Sequence, residues 1–253
     1  MDAQRSYAGE AADPYCLADG EAARLLAGHP WRRFAVLGDS IAEGVGEPAP
    51  GYADEPWCDR IAAALRTGQP GLAYLNLGTS NTPAAQVAAG QLPPALEFGP
   101  DLALVACGGY DILQFSYDAD AVTAEIATIV TTLAATGATV VTVGLFDGSY
   151  SPVVPEPYRK PLQQRLHGLS VATRQIAAQA GTLHVDLTWH PAARDPDLYA
   201  SDGKHGTMRG HAISAAEVIK GLGGELAIRR QRPAAPEAAG PAGAHAAGGQ
   251  EPG

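Results

Sequence analysis

Three residues with complementary chemistry stand in short glycine-bearing segments: Ser40 in "LGDSIAEGVG", and Asp202 and His205 in "SDGKHGTMRGH". A serine hydroxyl is a weak nucleophile until a base takes its proton. Histidine can do so near neutral pH, and a carboxylate on its Nδ1–H fixes the tautomer that leaves Nε2 free to accept. Asp202 precedes His205 by three residues, a separation at which a loop can bring carboxylate and ring together. Gly-Asp-Ser alone is a common helix entry in which Ser or Asp merely caps backbone N–H groups. The three residues together point to acyl transfer through a covalent serine, chemistry for which no metal or organic cofactor is needed.

Five short apolar runs are the candidate strands that must position these residues: "RFAVLG" (33–38), "AYLNLG" (73–78), "DLALVACG" (101–108), "ATVVTVGL" (138–145) and "TLHVDL" (182–187). Segments of helical period separate them. "PWCDRIAAALRTG" has Pro56 suited to a first turn and Gly68 to a stop, "TPAAQVAAGQLPPAL" is broken by Pro93, and "DADAVTAEIATIVTTLAATG" puts Ile126, Ile129, Val130 and Leu133 on one face. "RKPLQQRLHGLSVATRQIAAQAG" and "TMRGHAISAAEVIKGLGG" follow. This alternation predicts an α/β domain with a five-stranded parallel sheet covered on both faces. Right-handed crossovers then put the residues that follow each strand at one sheet edge, where sites in such folds lie.

Four blocks in order carry a resemblance to a known family: "GDS" at 38–40, "NLG" at 76–78, "GGYD" at 108–111 and "DGKH" at 202–205. The chain resembles the SGNH hydrolases, also called GDSL esterases and lipases, over roughly residues 31–224. The resemblance implies a three-layer α/β/α sandwich of flavodoxin type. It further implies Ser40 as nucleophile, His205 as general base and then acid, and Asp202 as the orienting carboxylate. The oxyanion hole would take the backbone N–H groups of Ser40 and Gly78 and a side-chain amide from the third block. That block reads Gly-x-Asn-Asp in the family, and here Tyr110 holds the asparagine's place.

Losing one donor from a preorganised oxyanion hole typically lowers kcat by roughly 10²–10³. Three readings of Tyr110 follow. Its hydroxyl can donate to the oxyanion if the backbone retreats or the ring folds aside. Another donor can substitute, Asn81 in "GTSN" being nearest in sequence, although a helix N-cap ahead of "TPAAQ" is the commoner role for such a residue. Or the ring packs on the substrate and the acyl-enzyme passes to an acceptor other than water. The function expected is a serine esterase acting on a small-molecule acyl ester. A biosynthetic acyltransferase or cyclase using the same site is the alternative, and a binding protein that has lost its chemistry is the third and least favoured.

Other residues read as structure. His190 is taken as a solvated loop residue, His211 as a polar residue of the last helix, Cys107 as core, and Asp111 as the cap of the helix after the third strand. "FDGSYSPVVPEPYRKP" is a long loop suited to shaping a pocket. With 17 basic against 27 acidic residues and a formal charge of −10, the chain is ill suited to nucleic acid or an anionic membrane. Cys16, Cys58 and Cys107 lack metal-ligand spacing, so neither a zinc site nor a disulfide framework is expected. No apolar run suggests stable membrane insertion, and a cytoplasmic location is expected. No feature specifies an oligomeric state. The organisation expected is an N-terminal extension (1–30), the hydrolase domain (31–224) and a disordered Ala/Gly/Pro-rich tail (225–253).

Overall fold

A computed structural model describes residues 7–231 of the chain. The central sheet contains β1 (Arg33–Gly38), β3 (Ala73–Asn76), β4 (Leu102–Ala106), β5 (Thr139–Gly144) and β6 (Leu183–Asp186), all parallel, in the order β3-β1-β4-β5-β6. Numbering these five by chain position gives the order 2-1-3-4-5, the flavodoxin-like winding with its switch point beside the first strand. Two further short strands, β2 (Gly46–Glu47) and β7 (Gly206–Thr207), pair in parallel as a separate ribbon.

Strand alternation divides the core. Phe34 and Val36 of β1, Leu102 and Leu104 of β4 and Val141 and Val143 of β5 face one layer, with α3 (Trp57–Gly68) and α9 (Met208–Gln231). Ala35, Leu37, Ala103, Val105 and Val140 face the other, with α4 (Ala84–Gly90), α5 (Leu92–Phe98), α7 (Ala119–Ala135) and α8 (Glu156–Ala180). The stripe read from the sequence on α7 is its buried face: Ile126, Ile129, Val130 and Leu133 are each at most 1% exposed. Burying such side chains contributes roughly 1.5–3 kcal/mol apiece. None of the described helices is long and apolar enough to cross a membrane.

Two boundaries differ from the sequence expectation. The break between α4 and α5 falls at Gln91, ahead of Pro93. Pro93 and Pro94 occupy the first turn of α5, where the missing N–H has no intrahelical partner to lose. The C-terminal boundary expected after Gly224 is corrected, because α9 continues to Gln231: Leu226 is buried in the core and Arg229 donates to Thr139 Oγ1 at 3.0 Å. The rest of the expected tail lies outside the described residues. At the other end, residues 7–30 are packed onto the sheet layers. Within "EAARLLAG" a short helix forms, α1 (Glu21–Leu25), Leu26 is 1% exposed, and Asp13 pairs with the buried Arg209 of α9 at 2.7 Å.

Candidate active site

β1 ends at Gly38, whose φ of 150° and crowded surroundings exclude a side chain: a Cβ there would lie 1.9 Å from the Ala106 carbonyl oxygen of β4. The buried Gln91 brackets the same residue, accepting from Gly38 N–H at 2.8 Å and donating to its carbonyl at 2.9 Å. The chain then enters α2 (Ser40–Glu43), with Asp39 as the cap that accepts from Ile41 N–H at 3.0 Å. The other oxygen of Asp39 accepts from Tyr110 N–H at 3.0 Å, in α6 (Gly109–Ile112). One buried carboxylate therefore joins the first and third sequence blocks. Burial pushes its pKa up to about 6, against the opposing pull of the N–H groups of Ile41, Tyr110 and Gly109.

Ser40 Oγ lies 2.8 Å from His205 Nε2, and His205 Nδ1 lies 2.5 Å from Asp202 Oδ2. Asp202 Oδ1 also accepts from the backbone N–H groups of Lys204 (2.9 Å) and His205 (3.0 Å). Partial burial works to raise the Asp202 pKa, but those two N–H groups and the histidine ring outweigh it and hold the carboxyl below its ordinary value. Ionised Asp202 favours a proton on Nδ1, which leaves Nε2 able to take the Ser40 proton. The loop is pinned on both flanks. Glu47 of β2 accepts from Ser201 N–H at 3.0 Å and from the Ser201 hydroxyl, and the β2–β7 pairing begins directly after His205.

A cavity of about 520 Å³ opens at this hydroxyl–imidazole pair. Ile112, Val143, Leu145, Leu162, Leu166 and Leu187 make much of its wall apolar, and Tyr110, Ser80 and Asn81 also line it. The loop after β5 contributes Phe146 and Gly148. That loop is folded around the buried Asp147, which accepts from Ser149, Gln163 and His167 side chains at 2.5, 3.0 and 2.8 Å. The loop read as pocket-shaping does line the cavity.

Several sequence expectations are revised by these contacts. Gly78, expected to offer its N–H to an oxyanion, donates it to Asn76 Oδ1 at 2.9 Å. Asn76 Nδ2 donates in turn to the Ala42 carbonyl at 2.9 Å, and a Cβ on Gly78 would lie 2.3 Å from Glu43 N, so Gly78 packs behind α2. Asp111 does not cap the helix after β4; it lies inside α6 and accepts from Ala84 N–H of α4 at 3.0 Å. Asn81 is not the cap of α4, a position held by Pro83 without a side-chain bond.

His211 is buried rather than a plain polar residue of the last helix. Trp57 N–H donates to its Nδ1 at 3.1 Å, the Val45 carbonyl is 3.3 Å from its Nε2, and burial lowers its pKa to about 4. His190 is likewise half-buried, edge-on to Tyr15 and Phe146, and its Nδ1 accepts from Ala192 N–H. Cys107 is 7% exposed, as a core residue should be. Sequence reading passed over Gln91 and Asn76. Their signals were a polar residue at a helix break and an asparagine at a strand end, and both are too common to single out without the third dimension.

The sheet winding and the contents of its carboxyl edge define an esterase-type hydrolase of the SGNH class. The model of the GDSL-like lipase/acylhydrolase family matches residues 36–213, and the chain belongs to that family. No curated protein matches it. Among solved structures, an alpha/beta hydrolase enzyme from the metagenome of Lake Arreo, Spain, is similar at a TM-score of 0.61 and 18% identity, over 78% of this chain and 96% of that one. An acetylxylan esterase from Geobacillus stearothermophilus has a TM-score of 0.60 at 19% identity, over 78% and 95%. A lipase/acylhydrolase from Enterococcus faecalis has a TM-score of 0.59 at 17% identity, over 77% and 96%. At these identities the likeness speaks for the fold.

Proposed function

We propose that this protein is a serine esterase that cleaves small-molecule carboxylic esters through an acyl-Ser40 intermediate. The observation that carries the reading is the continuous line from Ser40 Oγ through the His205 ring to Asp202, with spans of 2.8 and 2.5 Å, at the mouth of the cavity. Ser40 Oγ adds to the ester carbonyl carbon while its proton passes to His205 Nε2. Asp202 stabilises the imidazolium that results. The tetrahedral adduct collapses as Nε2–H protonates the departing alkoxide, leaving an ester on Ser40. Water then enters and its oxygen adds to the acyl carbon while its proton passes to Nε2; the second adduct collapses as Nε2–H returns that proton to Ser40 Oγ, releasing the acid and free serine. Backbone N–H of Ser40 is proposed as one donor to the oxyanion. The apolar wall supports an apolar acyl group.

Tyr110 gives a second reading its support. Its side chain shares the cavity with Ser40, where a ring can hold an acceptor molecule and slow the entry of water. In that case the acyl group passes to an alcohol or amine, and added acceptor diverts the product from acid to the transferred ester or amide.

The test of the leading reading is direct. The protein is expected to hydrolyse short p-nitrophenyl esters and to take a fluorophosphonate label on Ser40. Ser40→Ala should remove the label and lower kcat by roughly 10⁵–10⁶. An alanine variant with the parent's rate shows that Ser40 is not the nucleophile.

A further inference from the structure

The family model begins its match at residue 36, so Asp13 lies outside it. Yet the Asp13 side chain is 0% exposed and meets Arg209, the second residue of α9, whose side chain is 1% exposed. Taking a carboxylate and a guanidinium out of water costs a large desolvation penalty, which only close, well-directed bonds offset. Arg209 makes three of them. Its Nε donates to Asp13 Oδ2 at 2.7 Å, its Nη1 to Asp197 Oδ1 at 2.8 Å and its Nη2 to Asp195 Oδ2 at 3.0 Å. Burial works against the charge of Arg209, but the three aspartates outweigh it and hold the pKa above its ordinary value. Asp13 is fixed in turn by Tyr15 N–H at 3.0 Å and the Tyr52 hydroxyl at 2.8 Å.

Asp197 and Arg209 stand at the two ends of the segment that carries Asp202 and His205. Between them the Thr207 hydroxyl donates to the Asp197 carbonyl at 2.7 Å, Tyr199 bridges to Gly206, and Ala200 N–H donates to the His205 carbonyl at 2.9 Å. The guanidinium therefore closes the foot of the loop, while Glu47 and the β2–β7 ribbon hold its arms. Next to Asp13 on the N-terminal segment, Cys16 packs with Ala192 and Leu198 in a small apolar cluster on the approach to the same loop. Asp13, Asp195, Asp197 and Arg209 are not among the residues that line the cavity. Any influence they have on the chemistry must pass through the loop.

We propose that Asp13 is a positioning residue: through Arg209 and Asp197 it fixes the foot of the Asp202–His205 loop, and with it the reach of His205 Nε2 to Ser40 Oγ. The inference rests on the serine esterase reading. Without the Asp13 charge, Arg209 keeps only its two partners that are open to water, Asp195 and Asp197, and can turn outward with them. The contact that suffers is the 2.8 Å span from His205 to Ser40. A displacement of about 1 Å at reacting groups can cost about 10²-fold in rate.

Asp13→Asn keeps the shape of the side chain and removes its charge. Its kcat on p-nitrophenyl butyrate, measured well below the melting temperature with the fold checked by circular dichroism, should fall roughly 10–10²-fold, with KM within about twofold because the cavity wall is untouched. The same substitution in an Asp202→Asn background should lower kcat by less than about threefold, since its effect passes through the Asp202–His205 pair, whereas a general loss of structure lowers both backgrounds alike. Asp197→Asn is the second variant, for use if Asp13→Asn does not fold: its side chain is 49% exposed, and Arg209 keeps Asp13 and Asp195. It should lower kcat by about threefold or more, again only where Asp202 is present. Smaller losses, or losses equal in the two backgrounds, overturn the role of Asp13 while the esterase reading stands. If the parent neither cleaves esters nor labels at Ser40, the esterase reading fails and this inference with it.

Discussion

Asp39 lies behind Ser40 with none of its surface exposed, whereas Asp202, behind His205, keeps 43% of its side chain open to water. Burial dominates at the first and raises the carboxyl pKa to about 6, although backbone N–H groups oppose it. At the second, backbone N–H groups and the imidazole prevail over partial burial, and the pKa falls. Two aspartates on either side of one hydroxyl–imidazole pair thus titrate in opposite directions. The difference separates their work. Asp39 is a connector whose oxygens are taken by Ile41 and Tyr110; Asp202 holds a charge against Nδ1 of His205.

The supports differ in the same sense. Ser40 is held by a close strand crossing, a glutamine bracketing Gly38 and a buried carboxylate. Asp202 and His205 ride on a surface loop held by Glu47 and a two-residue ribbon. If Ser40 on its rigid strand end is the nucleophile and the pair on the lightly fastened loop its acid–base partner, as proposed, substitutions behind Ser40 act on stability, and substitutions behind His205 act on rate.

Asp202→Asn should break the second half of that comparison most severely. An amide in place of the carboxylate can favour the wrong histidine tautomer, and kcat should fall by about 10³–10⁴ with the melting temperature nearly unchanged. Steady-state kinetics beside calorimetry measures both, and a loss smaller than tenfold means that His205 does not depend on this partner.

The pH dependence of stability sharpens the first half. Asp39 has its folded pKa raised above the ordinary 3.8, so its favourable contribution is complete below that value and is lost as pH rises through about 6. The loss amounts to about 3 kcal/mol. Asp202 has the reverse sign, contributing above its ordinary value and losing that contribution as pH falls. Urea unfolding of the parent and of Asp39→Asn at pH 4 and pH 7 isolates the first effect. The parent's stability should decline more across that interval, and parallel behaviour would show that burial does not control the charge of Asp39.

Glu47→Gln is expected to have the smallest effect. Its carboxylate is exposed and its bonds to Ser201 compete with water, so kcat should drop by no more than about threefold. A much larger drop, measured with substrate saturating, would show that the loop of Asp202 and His205 depends on this one clasp and that the ribbon alone cannot hold it.

Much of this arrangement was legible from local signals. The five strands are short apolar runs whose alternate residues fill two separate core layers, as Phe34 and Val36 against Ala35 and Leu37 demonstrate. Ser40, Asp202 and His205 stood out because glycine-bearing turns and a three-residue spacing are local features. Gly78 and Asn81 were harder to separate. Both follow one strand within a few residues, and the choice of which faces the cavity depends on Asn76, Ala42 and Glu43 behind the loop. The extension of α9 past Gly224 was hidden for a similar reason: Leu226 finds its apolar partners on elements distant in sequence.

Sequence alone determined the class of sheet and singled out three residues as candidates at its carboxyl edge, because periodicity, turn composition and short spacings are encoded within a few residues of one another. Tertiary structure alone decided that Ser40 and His205 meet, 165 positions apart, at 2.8 Å. It also decided that Asp39 is buried while Asp202 is open, that Gly78 turns its N–H to Asn76, and that Asn81 reaches the cavity. Those outcomes depend on which distant groups desolvate a charge or claim a donor, and no local pattern in the chain carries that information.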